Sequence, residues 1–474
     1  MKKDKLFIIL MLTILNLIAT AFLLFQNKLN LIIILPYAYL LGLVMISVKE
    51  KEWSKSLVKT LIILLYGVRM VIYPFLCIIN NNMDQLNQYS TFEEAVFLQI
   101  YEYFLMIIFL MFVKFKNITK ASLNFIEDMK FTKIIRKVMI ILFIIAGIII
   151  IIYPQILNVY RLLFFTSSEE EIEWRRVSAT VKETMPSIIY HLGLWLINLS
   201  RIMLIYFLIM FIKYYKVNKE KKDSYIKIIV SMLLALLPTI ITTDDRAGGF
   251  LATFVLLLLI AHIYRKKRRV IIRLAVSILL VIVVIIMVII PTVKQENAIK
   301  ENDYDKRINA YFSGTINIAA GLNMPTVESS KYIKGDILRY IPLVVAFHTD
   351  NPQSNDLFNQ VLGEDIIYNS QIMPTIIQGY FYFGYILSPI FSIFLAWTAL
   401  KSEKKANLAE DTFGYFIYTY MSIFFALGII LYYFSLTIYL ILQYVFPMLC
   451  MYKVFKKRRE GENNEQSINL YERK

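Results

Sequence analysis

Residues 228–264 read IIVSMLLALLPTIITTDDRAGGFLATFVLLLLIAHIY, two apolar runs, Ile228 to Ile241 and Phe250 to Tyr264, separated by the polar break Thr242 to Gly249. Each run reads as the apolar part of a membrane helix. The break therefore lies at a membrane surface, with Asp244, Asp245 and Arg246 just ahead of a helix start. Free backbone N–H groups at that start, the Arg246 guanidinium and the bare backbone of Gly248 and Gly249 together suit an oxyanion such as phosphate. A plainer reading stands beside it. Asp244 or Asp245 caps the helix, the glycines let two helices approach, and Arg246 reaches for the headgroups.

The rest of the chain extends the same pattern. Of its 474 residues 58% are hydrophobic and only 18% charged, a composition that fits a polytopic membrane protein and not a soluble one. Windows of about 20 apolar residues predict about twelve spans. They are Leu6–Phe25, Leu31–Val48, Leu57–Ile79, Ala95–Val113, Val138–Tyr153, Ile188–Ile212, Ile226–Ile241, Gly249–Tyr264 and Val270–Pro291, then Ile376–Leu400, Phe413–Tyr433 and Phe434–Phe455. The fold expected is an all-α polytopic integral membrane protein with a large extracytoplasmic loop. Its parts are a membrane domain over 1–291 with nine spans, a loop or cap over 292–375, three further spans over 376–455 and a cytoplasmic tail over 456–474.

The net charge of +16 raises the question of nucleic acid. With the N-terminus inside, about 35 of the 51 Lys and Arg fall in cytoplasmic segments, against about 14 acidic residues. The charge is topological, and no nucleic-acid partner is expected. This orientation puts both termini in the cytoplasm and TTDDRAGG outside, together with Pro154 to Pro186 and Thr292 to Thr375. Tyr304, Tyr311, Phe312, Tyr332, Tyr340, Phe347, Phe358 and Tyr368 run through the last segment, enough aromatic surface for a small packed cap. The working face is expected to be the outer one.

Cys77 and Cys450 supply no disulfide framework, and His191, His262 and His348 are too scattered for a zinc motif, so no metal is expected. No phosphate loop or dinucleotide turn occurs, so no cofactor is expected either. Ionisable groups inside spans carry more information, since each costs roughly 2.5–3.5 kcal/mol at a helix centre. Arg69 and Glu102 lie at similar depth, roughly 10–15 Å below the outer surface, on adjacent antiparallel spans. A structural pair is the economical reading. Arg201 has no evident acidic partner and suits a lipid phosphate or a water-filled cavity. In the outer segments, SSEEEIEWRR at 167–176 offers Trp174, Arg175 and Arg176 for sugar stacking and phosphate pairing, or a solvated helix start. Asp303 and Asp305 form an Asp-x-Asp of low specificity. His348 is the one histidine in an outer loop and a candidate base near neutral pH.

Three stretches, TTDDRAGGFLATFVLLLL, AYFSGTINIAAG at 310–321 and MPTIIQGYFYFGYILSPIF at 373–391, together with the span count, resemble bacterial Wzy-type O-antigen or capsular polysaccharide polymerases. The resemblance covers most of the chain as architecture and short patterns. It implies a glycosyltransferase of the bacterial cytoplasmic membrane that joins undecaprenyl-pyrophosphate-linked oligosaccharide repeat units at the outer face. Lipid-linked glycans and membrane lipid are then its partners, with a flippase and a chain-length regulator of the same pathway. Arg246 would bind the leaving pyrophosphate, assisted by Arg175, Arg176 and Arg339, and Asp244, Asp245 or His348 would take the acceptor proton. Such polymerases carry arginine-rich motifs in two outer loops, and the second is not clear here. A flippase, an O-antigen ligase, a lipid-linked-sugar transferase and a non-catalytic scaffold are the alternatives.

Overall fold

In the computed structural model, residues 31–50, 53–79, 90–113, 125–162, 168–214, 223–242, 246–274, 312–325, 327–339, 351–362 and 372–454 are described, with Ser277, Asn309, Ile341, Val344 and Lys456 besides. Helix dominates because the apolar runs contain almost no turn residues and lack the alternation of a half-buried strand. The described helices are α1 (Ile34–Lys49), α2 (Leu57–Gly67, continuing through a π-turn at Val68–Ile72 into Tyr73–Ile79), α3 (Phe92–Phe112), α4 (Phe125–Ile152), α5 (Ser168–Thr184), α6 (Ser187–Tyr214), α7 (Asp223–Ile240) and α8 (Arg246–Ile263). Then follow α9 (Thr315–Leu322), α10 (Ser330–Leu338), α11 (Ser354–Leu362), α12 (Thr375–Leu387), α13 (Ile390–Leu408), α14 (Thr412–Leu427) and α15 (Phe434–Leu440, continuing through a π-turn at Ile441–Val445). Among the described residues the one sheet is a two-residue antiparallel bridge of β1 (Arg161–Leu162) with β2 (Ile241–Thr242).

Five described helices are long and apolar enough to cross a membrane: Leu31–Lys49, Leu57–Ile78, Phe92–Phe112, Ser187–Lys213 and Phe434–Val454. Two bent pairs raise the number to seven if each is one span. The protein is thus all-helical and built as a multi-pass membrane protein. The expected span Leu6–Phe25 lies outside the described residues, as does most of Val270–Pro291. The expected straight span Ile376–Leu400 is instead a break of 108° between α12 and α13. Its cause is local. Gly384 takes φ 74°, a left-handed value that glycine tolerates, and Pro389 cannot donate the N–H that would carry the helix onward.

Burial centres on α14, whose Phe413, Phe416, Tyr420 and Phe424 are at most 1% exposed. Their spacing of three and four residues puts them on one stripe. That stripe packs among α2, α8 and α13. Beside it, the rings of Tyr39 of α1 and Tyr66 of α2 pack at a tilt against Tyr103 of α3, with centroids 5.6 and 5.2 Å from it, and the Tyr103 hydroxyl donates to the Tyr39 carbonyl at 2.9 Å.

The two ends of the bundle are closed differently. At one end, buried Lys59 donates to Glu50 and to the orphan carbonyls of Leu110 and Val113 at the C-terminus of α3. Glu403 accepts from Ser56 Oγ and Leu57 N, capping α2 from far along the chain. At the other end sit the described helices of the 292–375 segment. Short α9 is buried against α3 and α12, held by Thr91 Oγ1 to the Ala319 carbonyl at 2.8 Å and Thr315 Oγ1 to Gln99 Oε1 at 3.0 Å. The Thr375 hydroxyl lies 2.8 Å from the Gly428 carbonyl and 2.6 Å from that of Tyr432, fixing the start of α12 to the turn between α14 and α15.

Candidate functional site

The β1–β2 bridge brings Tyr160–Leu162, from the segment after α4, to the residues that lead into the polar break before α8. Pro154 starts a 3-10 turn, Pro154–Val159, and α5 folds back onto it by burying Val181 and Met185 against Ile156 and Val159. That packing presents Trp174 to Arg161, whose guanidinium lies 3.9 Å from the indole centroid with the residue only 9% exposed. From α6, Arg201 donates through Nη1 to the Ile241 carbonyl of β2 at 2.8 Å and stands 5.6 Å from the Tyr160 ring centroid. The Tyr160 hydroxyl donates to Asn198 Oδ1 at 3.1 Å. Burial, partly offset by Arg201, pushes the Tyr160 phenol up from its ordinary value, so it is neutral and a donor.

Two guanidiniums thus meet two aromatic faces and an amide at the foot of the polar break. No carboxylate pairs with Arg201 among the described residues, and its Nε is buried with no hydrogen-bond partner. A retained positive charge with a spare donor suits phosphate oxygens, and the flanking aromatic rings suit a sugar face. Arg161, Tyr160 and Asn198 were not singled out from the sequence. The one local signal was an arginine following a tyrosine just past a helix end, and its bridge to Thr242 is a contact across eighty residues.

Among the other expected site residues, Asp244, Asp245 and His348 lie outside the described residues, as do Asp303, Asp305 and the side chains of Arg175 and Arg246. Arg246 is the first residue of α8, and Arg176 is exposed on α5. Gly248 and Gly249 are both buried. A side chain at Gly249 would collide with the Pro238 carbonyl of α7, so its bare backbone is used by the α7–α8 contact and not by an open ligand surface. The same hairpin is tied by Thr239 Oγ1 to Thr253 Oγ1 at 2.8 Å. Arg339 is engaged within the capping segment, by the Asn351 carbonyl and Asp356, each at 3.2 Å.

Arg69 and Glu102 are brought together at 2.8 Å and are 1% and 0% exposed. Arg69 sits in the π-turn of α2, and Ser392 of α13 donates to the second Glu102 oxygen at 2.5 Å. A further carboxylate went unnoticed in the sequence. Asp336 of α10, 4% exposed, accepts from Ser354 N at 3.0 Å, from the Ser354 hydroxyl, and from Gln378 Nε2 and the Tyr382 hydroxyl at 2.8 Å each. Its donors come from two other helices, α11 and α12, so no spacing in the chain announces it. Among the described residues no three His, Cys, Asp or Glu side chains converge as metal ligands would.

No family model, no curated protein and no solved structure matches this chain.

Proposed function

We propose that the chain is a polysaccharide polymerase of the bacterial cytoplasmic membrane, which joins lipid-pyrophosphate-linked oligosaccharide repeat units at the outer face. The observation that carries this reading is Arg201, a membrane-helix arginine without an acidic partner among the described residues, set with Arg161, Trp174 and Tyr160 against the strand that leads to Arg246. The full topology proposed has about twelve spans with both termini inside, which puts this cluster and the 292–375 segment on the outer surface.

In the transfer, an acceptor sugar hydroxyl attacks the anomeric carbon of the donor. The bond from that carbon to the pyrophosphate oxygen breaks, and the pyrophosphate leaves with the electron pair. Arg201 and Arg246 stabilise the charge that develops on the leaving oxygens, and Trp174 lies where a sugar face can stack. The acceptor proton passes to Asp244, Asp245 or His348 as general base. A water-excluding site at a membrane surface strengthens each of these interactions.

Topology is tested by single cysteines in a background lacking Cys77 and Cys450. Cysteine at Asn323 reacts with an impermeant thiol reagent in intact cells, and cysteine at Lys404 does not; the reverse pattern puts the arginine cluster in the cytoplasm and ends the proposal. Function is tested by deleting the gene and sizing the surface glycan. Single lipid-linked repeat units accumulate while long chains vanish, and an unchanged ladder overturns the reading.

A further inference from the structure

A groove of about 490 Å³ lies between α10 and the membrane helices α12, α13 and α15. Its walls are apolar, formed by Ile333 and Ile337 of α10, Phe383, Phe434, Ile438 and Leu442. Phe391 stacks on Phe434 with centroids 4.3 Å apart and meets Phe383 edge-on at 5.4 Å, which makes one side a continuous aromatic surface. Its polar lining comprises Asp336, Gln378, Tyr382 and Ser435, joined by hydrogen bonds, and Ser329 and Ser330 at the start of α10. Pockets of this size and character hold small molecules or chains.

Two observations say what fills it. The rim is continuous with lipid-facing surface, since Phe383 is 46% exposed, Leu387 53%, Ile390 44% and Phe394 43%, all on the α12–α13 bent pair. On α10, Ile333 and Ile337 stand one turn apart and are 43% and 54% exposed, the apolar stripe of a helix that lies along a membrane surface. The lining carboxylate adds a second requirement. A carboxylate has about four acceptor positions. Asp336 Oδ2 takes three donors, whereas Oδ1 takes only Ser354 N, and no cation pairs with Asp336 among the described residues. Asp336 lines the groove, and its Oδ1 keeps an acceptor position that no described donor fills.

We propose that this groove binds one hydrocarbon chain of a glycolipid, with a sugar hydroxyl of its head donating to Asp336 Oδ1. The tail fills the aromatic and aliphatic walls beneath α10, and the head sits at the membrane surface where α10, α11 and α12 meet. A phosphocholine head, which has no donor to offer, leaves that acceptor unused. The inference rests on the membrane reading of the chain and not on glycosyl transfer, so a protein without polymerase activity passes or fails it on its own terms.

The test uses the purified full chain in phosphatidylcholine vesicles with two photoreactive probes, each carrying a diazirine on the same acyl chain: a monogalactosyl diacylglycerol and a phosphatidylcholine. Cross-linked peptides are mapped by mass spectrometry. The galactolipid labels peptides of α10, α12 and α15 roughly tenfold more than the phosphatidylcholine does, the scale of one hydrogen bond to a charged acceptor. Ile337→Trp and Ile438→Trp fill the groove and abolish that labelling, while labelling at the exposed α4 residues Ile148 and Ile152 is unchanged. Asp336→Asn brings the two probes to equal labelling. Equal labelling of groove and α4, or labelling indifferent to the tryptophans, overturns the groove as a lipid site. Equal labelling by the two probes in the unaltered protein, or a galactolipid preference that survives Asp336→Asn, overturns the assignment of the head. Ile337 is 54% exposed, so the larger side chain of Ile337→Trp enters the groove without displacing a buried residue, and the test stands even where Asp336→Asn fails to accumulate.

Discussion

Arg69 and Arg201 are both arginines within helices long and apolar enough to cross a membrane, and the fold treats them in opposite ways. Arg69 is sealed at 1% exposure against Glu102, with Ser392 completing the carboxylate, so its charge is neutralised inside the bundle. Arg201 is half-buried, holds a backbone carbonyl through one nitrogen and keeps its charge. A carbonyl accepts a hydrogen bond but carries no opposing unit charge. The difference separates an arginine whose charge is neutralised inside the bundle from one that meets no carboxylate among the described residues.

The largest expected effect breaks the first half of this contrast. Arg69→Ala or Glu102→Ala strands one buried charge and costs about 3–5 kcal/mol. Either variant lowers membrane abundance and thermal stability, measured by fluorescence-detected size exclusion after heating. The exchanged pair, Arg69→Glu with Glu102→Arg, recovers part of the loss. Normal abundance of Arg69→Ala together with lost activity would move Arg69 from the frame into the site.

The second effect bears on activity and leaves the fold alone. Under the proposed function, Arg201→Ala accumulates normally yet loses about 2.7–4 kcal/mol of transition-state stabilisation, roughly a hundred- to thousand-fold in rate of glycan extension. Arg201→Lys keeps a charge but not the planar fork, so it stays defective. A drop in abundance matching that of Arg69→Ala would make the two arginines alike and remove the distinction.

Smaller effects sharpen the surroundings of Arg201. Gly249→Val drives a side chain into the Pro238 carbonyl and costs about 1–3 kcal/mol by overpacking. It loosens the α7–α8 hairpin and appears as a lower melting temperature. Trp174→Ala removes the face beneath Arg161, worth about 0.5–2 kcal/mol. Under the proposed function its signature is a raised apparent KM for the lipid-linked donor with stability unchanged, and an unaltered KM would confine Trp174 to packing α5.

The chain by itself determined the class of structure. Apolar runs separated by Lys- and Arg-rich segments leave no way to satisfy backbone groups in lipid except helix, so the helical membrane architecture is legible residue by residue. The facing of Arg69 and Glu102 was legible too, because equal depth on adjacent antiparallel helices follows from counting rise per residue. The tertiary structure decided what depends on contacts far apart in sequence. Whether Gly249 serves a ligand or a neighbouring helix turned on where Pro238 sits, and the bend between α12 and α13 interrupted a window whose mean apolarity reads as one span. Arg161 became a site residue only through its bridge to Thr242, and Asp336 became a hub only through donors from Ser354, Gln378 and Tyr382. Hydropathy is a sum over neighbours along the chain, whereas hydrogen bonds and buried charges are settled between neighbours in space.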